Sequence, residues 1–244
     1  MFLVGHALVA FLIAYIVCRI FKVNQGISFS LAMVIGIIPD IDIVTQSLGI
    51  MTHRTFTHSL IVYAAIGGSI FLVTKLGFKQ TYAVALIYSL AYFQHIIADI
   101  VIGTPLNILY PIGNLPVGIG IAFGSLTHEI IEVLLLAVAT LIIAGKWFRW
   151  IGNITHYDMT TFSLFRFSIT DKISYIILIV SLIFSFAYLL YGMKSLPRLI
   201  LEADLEVVLF LLLHIAALAL ISFMMLVARQ EAANFKRSLI PGKQ

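Results

Sequence analysis

TYAVALIYSLAYFQHIIADIVI, residues 81–102, is long and apolar enough to cross a bilayer, yet it carries His95 and Asp99 inside it. A hydrocarbon core about 30 Å thick asks for roughly 20 apolar residues per helix. Five further runs have the same character: Phe2–Ile20, His58–Leu76, Leu126–Ala144, Ile173–Tyr191 and Val207–Ala228. Gly26–Val44 is a marginal addition, because Asp40 and Asp42 stand at its end. The expected fold is therefore all-α, a polytopic membrane protein of about seven transmembrane helices.

Composition agrees. Of 244 residues, 61% are apolar and 11% are charged, whereas a soluble domain carries roughly 25% charged residues. Soluble and disordered classes are excluded together. No charged or Pro/Ser-rich linker divides the chain, so a single membrane domain is expected. The net charge of +4 comes from basic residues scattered between apolar runs, where they set topology; nucleic acid is not an expected partner. With the N-terminus outside, twelve of the 15 Lys and Arg fall on the inner side, as the positive-inside rule requires. That split supports an N-out, C-in arrangement and the counting of Gly26–Val44 as a span. The first run lacks a basic leader and a cleavage site, so it is expected to be retained. Cys18 is the sole cysteine, which rules out an intrachain disulfide and a cysteine-type zinc site.

On that topology the unusual polar residues gather on one side. His6 is near the outer end of the first helix; Asp40 and Asp42 close the second, where Pro39 interrupts the hydrogen-bond ladder. His53 and Arg54 lie in the following outer loop, and His58 opens the third helix, with Thr57 as its expected cap. His95 and Asp99 lie in the outer half of the fourth helix, and His128, Glu129 and Glu132 in the first turns of the fifth. His95 and Asp99 are four apart and so project from one helical face, where two ligands converge on one ion. His128 and Glu132 repeat the spacing, although helix-start carboxylates also complement the dipole.

An ionisable residue inside a span costs about 2.5–3.5 kcal/mol on insertion scales. Pairing, a water-filled cavity or a metal must offset it. Mixed His and Asp without Cys suit zinc, or manganese or iron, better than copper(I). The blander alternatives are a hydrogen-bonded His95/Asp99 pair between helices and an Asp40/Asp42 end marker for the second helix. His214, alone in an apolar span, is expected to pack or to hydrogen-bond a neighbour.

The segments Gly5-His6, Pro39-Asp40-Ile41-Asp42, His53-Arg54-Thr55-Phe56-Thr57-His58-Ser59 and His95-Ile96-Ile97-Ala98-Asp99 occur in the order seen in the YdjM-like membrane-bound, metal-dependent hydrolases. Thr104 and Pro111 fit the turn that follows. The resemblance covers roughly residues 1–115, a metal-site half; residues 116–244 read as additional helices of the same membrane domain. More distantly, the family resembles the helical zinc phospholipase C and nuclease group, which hydrolyses phosphoesters at clustered metals. The resemblance implies that His6, Asp40, Asp42, His53, His58, His95 and Asp99 are metal-site residues. Thr55 stands where such proteins commonly have glycine.

Together these features lead to the expectation of a metal-dependent hydrolase of the cell membrane, acting on a lipid or amphiphilic phosphoester at the outer face. His128 is added to the metal candidates from spacing. Arg54 is expected to hold a phosphate oxygen, and Glu129 or Glu132 to serve as general base or to support a ligating histidine. The rival readings are an ion or metal transporter, which would need polar residues continuing to the inner face, and a non-catalytic scaffold with a structural metal.

Overall fold

The computed structural model describes residues 1–23, 27–47, 54–152, 169–192 and 212–226. The described part is mostly helical. Helix α1 (Leu3–Ile20) is followed by α2 (Phe29–Ile37), a 3-10 turn (Ile38–Ile41) and α3 (Asp42–Ser47). Then come α4 (Leu60–Leu72, extended by a π turn to Gly77), α5 (Tyr82–Val101), α6 (Leu126–Gly152), α7 (Ile169–Gly192) and α8 (Leu212–Leu226). Among the described residues, Leu3–Ile20, Leu60–Gly77, Tyr82–Val101 and Leu126–Gly145 are long and apolar enough to cross a membrane. Phe29–Ile41 and Leu212–Leu226 are shorter apolar helices.

Local chemistry sets the boundaries. Ser28, Ser59 and Thr81 each accept a backbone N–H three residues on, which caps α2, α4 and α5. The cap of α4 is thus Ser59 rather than Thr57, and the helix begins at Leu60 rather than His58. Pro39, lacking an N–H, cannot continue the α2 ladder, and the chain tightens into the 3-10 turn before α3. The expectation that Gly26–Val44 breaks at its proline is met, with an α-helical part of nine residues.

The core lies between α1, α2 and α5, which pack on one another. Phe11, Ala14, Met33, Ile87, Ala91 and Tyr92 are buried there. Helix α1 also packs on α6, α2 on α7, and α4 on α5. Helix α4 turns much of its surface outward, with Leu60, Ile61, Ile66 and Leu72 exposed, as suits a lipid-facing helix. Between α5 and α6 lies an element outside the all-helical expectation, a small antiparallel hairpin of β1 (Leu106–Asn107) and β2 (Pro116–Val117). Pro105, Pro111 and Pro116, with five glycines from Gly103 to Gly124, exclude a helix in that stretch.

Gly36 is where α2 meets its neighbours most closely. A Cβ there would lie 2.6 Å from Ala10 Cβ and 3.0 Å from Gln94 Nε2. Gly68 on α4 has nothing within 4 Å of the same position. Thermal unfolding in detergent is therefore expected to separate the two: Gly36→Ala destabilises by about 1–3 kcal/mol, while Gly68→Ala is neutral or slightly stabilising. Equal effects would contradict the close packing of α1, α2 and α5.

Candidate metal centre

Alternating helix directions bring one end of each of several elements together. These are the first turns of α1 (His6), the 3-10 turn after α2 (Asp40), the start of α3 (Asp42), the turn before α4 (His58) and the last turns of α5 (His95, Asp99). His6, Asp40, His95 and Asp99 each offer one ligand atom, and these atoms lie within 4.8 Å of one another. All four residues are buried. His95 Nε2 is 3.2 Å from Asp40 Oδ1, and His6 Nε2 is 3.3 Å from Asp99 Oδ1. The His6 and His95 rings stack with centroids 3.6 Å apart. His58 joins the group: its Nε2 is 3.2 Å from both Asp99 Oδ2 and His95 Nε2. The Met1 amino group also contacts Asp99 Oδ1, at 3.0 Å.

The outer nitrogens of two imidazoles are anchored. His95 Nδ1–H donates to the Gly36 carbonyl at 2.9 Å, which leaves the Nε2 lone pair facing the carboxylates. His58 Nδ1 is 2.9 Å from Thr57 Oγ1 and 3.3 Å from Asp42 Oδ2. Thr57 Oγ1–H in turn donates to Asp42, and the Arg54 backbone N–H donates to the same oxygen at 3.2 Å. Asp42 therefore lies behind His58 rather than beside Asp40, in the manner of the carboxylates that fix metal-binding histidines. Burial opposes a charge on His58, but its hydrogen bonds to the Asp40, Asp42 and Asp99 carboxylates prevail and its pKa is pushed up to about 10. A cation taking Nε2 must displace that proton.

Arg54 has a left-handed backbone (φ 65°), whereas Thr55 has a negative φ of −109°. The Arg54 Nη2 donates to the carbonyls of Asp99 (3.1 Å) and Ile102 (3.2 Å), capping the C-terminus of α5, and lies 3.3 Å from Asp99 Oδ2. Its guanidinium rests on Gly103, whose φ of 116° and absent Cβ both permit the contact. Arg54 Nε is buried and has no hydrogen-bond acceptor among the described residues.

His128, Glu129 and Glu132 form a second buried group at the start of α6. Gly124 N–H donates to His128 Nδ1 at 2.9 Å, so His128 Nε2–H donates to Glu132 Oε1, also at 2.9 Å. The Phe2 N–H donates to the same oxygen at 2.7 Å, and a Cβ on Gly5 would lie 2.5 Å from it. His128 is thus paired with Glu132, and Gly5 lets that carboxylate press against α1 one residue before His6. The buried His214 ring lies beside Phe2, with centroids 5.5 Å apart. His53 lies outside the described residues.

Three contributors were not picked out from the sequence. Gln94 Nε2 donates to the carbonyls of His6 (3.2 Å) and Gly36 (3.4 Å), tying α1 and α2 to α5 beside the site. A glutamine within an apolar span, adjacent to His95, was the available signal. Gly36 supplies the acceptor for His95, and Tyr63 packs its ring near His58 and His95 with its hydroxyl buried.

Two carboxylates and two imidazoles whose ligand atoms converge, with the His58 imidazole against Asp99 and His95, buried among apolar helices, are a donor set suited to a hard-to-borderline divalent ion. The residues present therefore fit a metal, and the site lacks the thiolates a softer ion prefers.

Comparison with known families bears on the same residues. A model of the YdjM inner membrane protein family matches residues 1–199, and the chain belongs to that family. The match runs well past the motif-bearing half and takes in α6. No curated protein and no solved structure matches the chain.

Asp42→Asn and Thr57→Val should weaken metal binding by about 10–100-fold while leaving its stoichiometry unchanged. Asp40→Asn and Asp99→Asn should instead lower the number of ions held. Chelator competition with metal analysis distinguishes the two classes, and a stoichiometric loss in Asp42→Asn would make Asp42 a ligand.

Proposed function

We propose that this member of the YdjM inner membrane protein family is a membrane-embedded, metal-dependent hydrolase of a lipid or amphiphilic phosphoester. One observation carries the reading: His6, His58 and His95 turn toward Asp40 and Asp99 inside the bundle, with His58 and His95 anchored from behind. Zinc suits the donors best, with manganese or iron next. A divalent ion held there supplies the positive charge that acidifies water and polarises a phosphoryl oxygen.

The chain's own residues supply the rest. His6, Asp40, His58, His95 and Asp99 hold the ion; Asp42, Thr57 and the Gly36 carbonyl orient the imidazoles. Arg54, immobilised by Asp99 and Ile102, keeps a buried Nε–H without an acceptor among the described residues, which would serve a phosphate oxygen. Glu132, held by Phe2 and His128, and its neighbour Glu129 are the proton acceptors that α6 offers. The distribution of Lys and Arg supports seven spans, N-out and C-in, and with them a site at the outer leaflet. A substrate entering sideways from the bilayer accounts for a site enclosed by helices.

The test is phosphate release from phosphatidic acid, lysophosphatidic acid and isoprenyl phosphate by the full chain in vesicles, with added zinc or manganese. Wild type is expected to turn over at least one of them. Asp40→Asn and His58→Ala are expected to fall to background, and Arg54→Gln to raise KM more than it lowers kcat. Full turnover by Asp40→Asn and His58→Ala, with metal content unchanged, would sink the reading. Because imidazole must be neutral to bind an ion, metal affinity should also fall as pH falls, by up to about tenfold per unit for each proton displaced. Titration calorimetry in buffers of different ionisation enthalpy reads those protons directly.

A further inference from the structure

Residues 103–125, GTPLNILYPIGNLPVGIGIAFGS, contain no charged side chain. This stretch joins the end of α5 to the start of α6, at the same end of the bundle as the His/Asp group. A connection exposed to water in a membrane protein normally carries charge. Here the outward side chains are apolar: Ile112 is 80% exposed and Ile119 is 69% exposed, and Tyr110, Leu115 and Phe123 are exposed beside them.

The segment is built as an ordered unit. Besides the β1–β2 pairing, Gly103 N–H donates to the Ile121 carbonyl and Ile119 N–H to the Ile100 carbonyl, each at 2.7 Å. Leu115 N–H donates to Asn107 Oδ1 at 2.9 Å. Backbone groups paired in this way can sit where water is scarce. The Leu60 N–H donates to the Ile108 carbonyl at 2.8 Å, which fastens the hairpin to the first residue of α4. That bond sets the hairpin beside the start of α4, where Leu60 and Ile61, with Phe56 in the preceding turn, are likewise apolar and exposed. The root of the hairpin at Gly103 carries the Arg54 guanidinium, in contact with Asp99.

We infer that this hairpin is seated in the bilayer, at the boundary between headgroups and acyl chains of the leaflet on the site's side. Its occupant is phospholipid, because the hairpin is fastened to the first residue of a span whose exposed side chains are apolar and has no charge to hold it in water. Its place beside Arg54 and Asp99 makes it a lipid-embedded rim of the His/Asp site. The seating of the hairpin in lipid is independent of whether the site is hydrolytic.

The test uses the full chain with Cys18→Ala, carrying Ile112→Cys or Ile119→Cys labelled with a nitrobenzoxadiazole fluorophore. Lys79→Cys, at an exposed turn between α4 and α5, is the aqueous control. The protein is reconstituted in phosphatidylethanolamine/phosphatidylglycerol vesicles, with nitroxide-bearing lipids as one quencher and aqueous iodide as the other. Labels at 112 and 119 are expected to show blue-shifted emission and several-fold stronger quenching by lipid nitroxide than the label at 79, with iodide giving the opposite order. Iodide quenching at 112 and 119 equal to that at 79 would overturn the inference. So would spontaneous disulfide-linked dimers through unlabelled position 112 in the same vesicles, since a second copy of the chain would then cover the face.

Discussion

Asp40 and Asp99 lie side by side with His6, His58 and His95 in an interior made by apolar helices, and an ionised carboxylate in such surroundings must be matched. The match comes partly from Arg54 and the imidazoles. Around that requirement the nearby architecture takes its form. Pro39 converts the end of α2 into a 3-10 turn that points Asp40 inward and starts α3 at Asp42. The left-handed Arg54 brings its backbone N–H to Asp42 and its guanidinium to Asp99 at once.

Small residues make the convergence possible. Gly36 allows α2 to approach α1 and α5 so that its carbonyl anchors His95, and Gly5 allows the Glu132 carboxylate to lie against α1. Gln94 bonds the two carbonyls that this approach leaves beside the site. Packing and chemistry are thus coupled, because the contacts that close the core also select which imidazole nitrogen faces the carboxylates. The second group, His128 with Glu132, meets the first through the start of α1 rather than through a shared ligand atom.

Helix-bearing stretches were legible in the sequence because bilayer thickness imposes a length and a composition that few other folds share. The meeting of His6, Asp40, His58, His95 and Asp99 was legible as well, since alternating helix directions place the ends of successive spans together. The division of labour within the group was not. Asp40 and Asp42 are two apart, and only the 3-10 geometry decides that one lies against His95 Nε2 and the other against His58 Nδ1. Thr57 and Ser59 are both good caps; Thr57 gives its hydroxyl to Asp42 and Ser59 caps α4. A turn after α5 was implied at Thr104 and Pro111 by the family resemblance, but its strand pairing goes with contacts to α4 and α5 that no local pattern encodes.

The account turns on whether the buried His/Asp group holds a divalent ion. Metal content of the detergent-purified protein, measured by mass spectrometry beside a His95→Ala/Asp99→Ala variant, tests this most directly. One or more tightly held ions in the wild type, lost from a variant that still elutes as folded protein, is the predicted result. No ion in either protein after zinc and manganese have been supplied would contradict it and leave the group as a hydrogen-bonded network between helices.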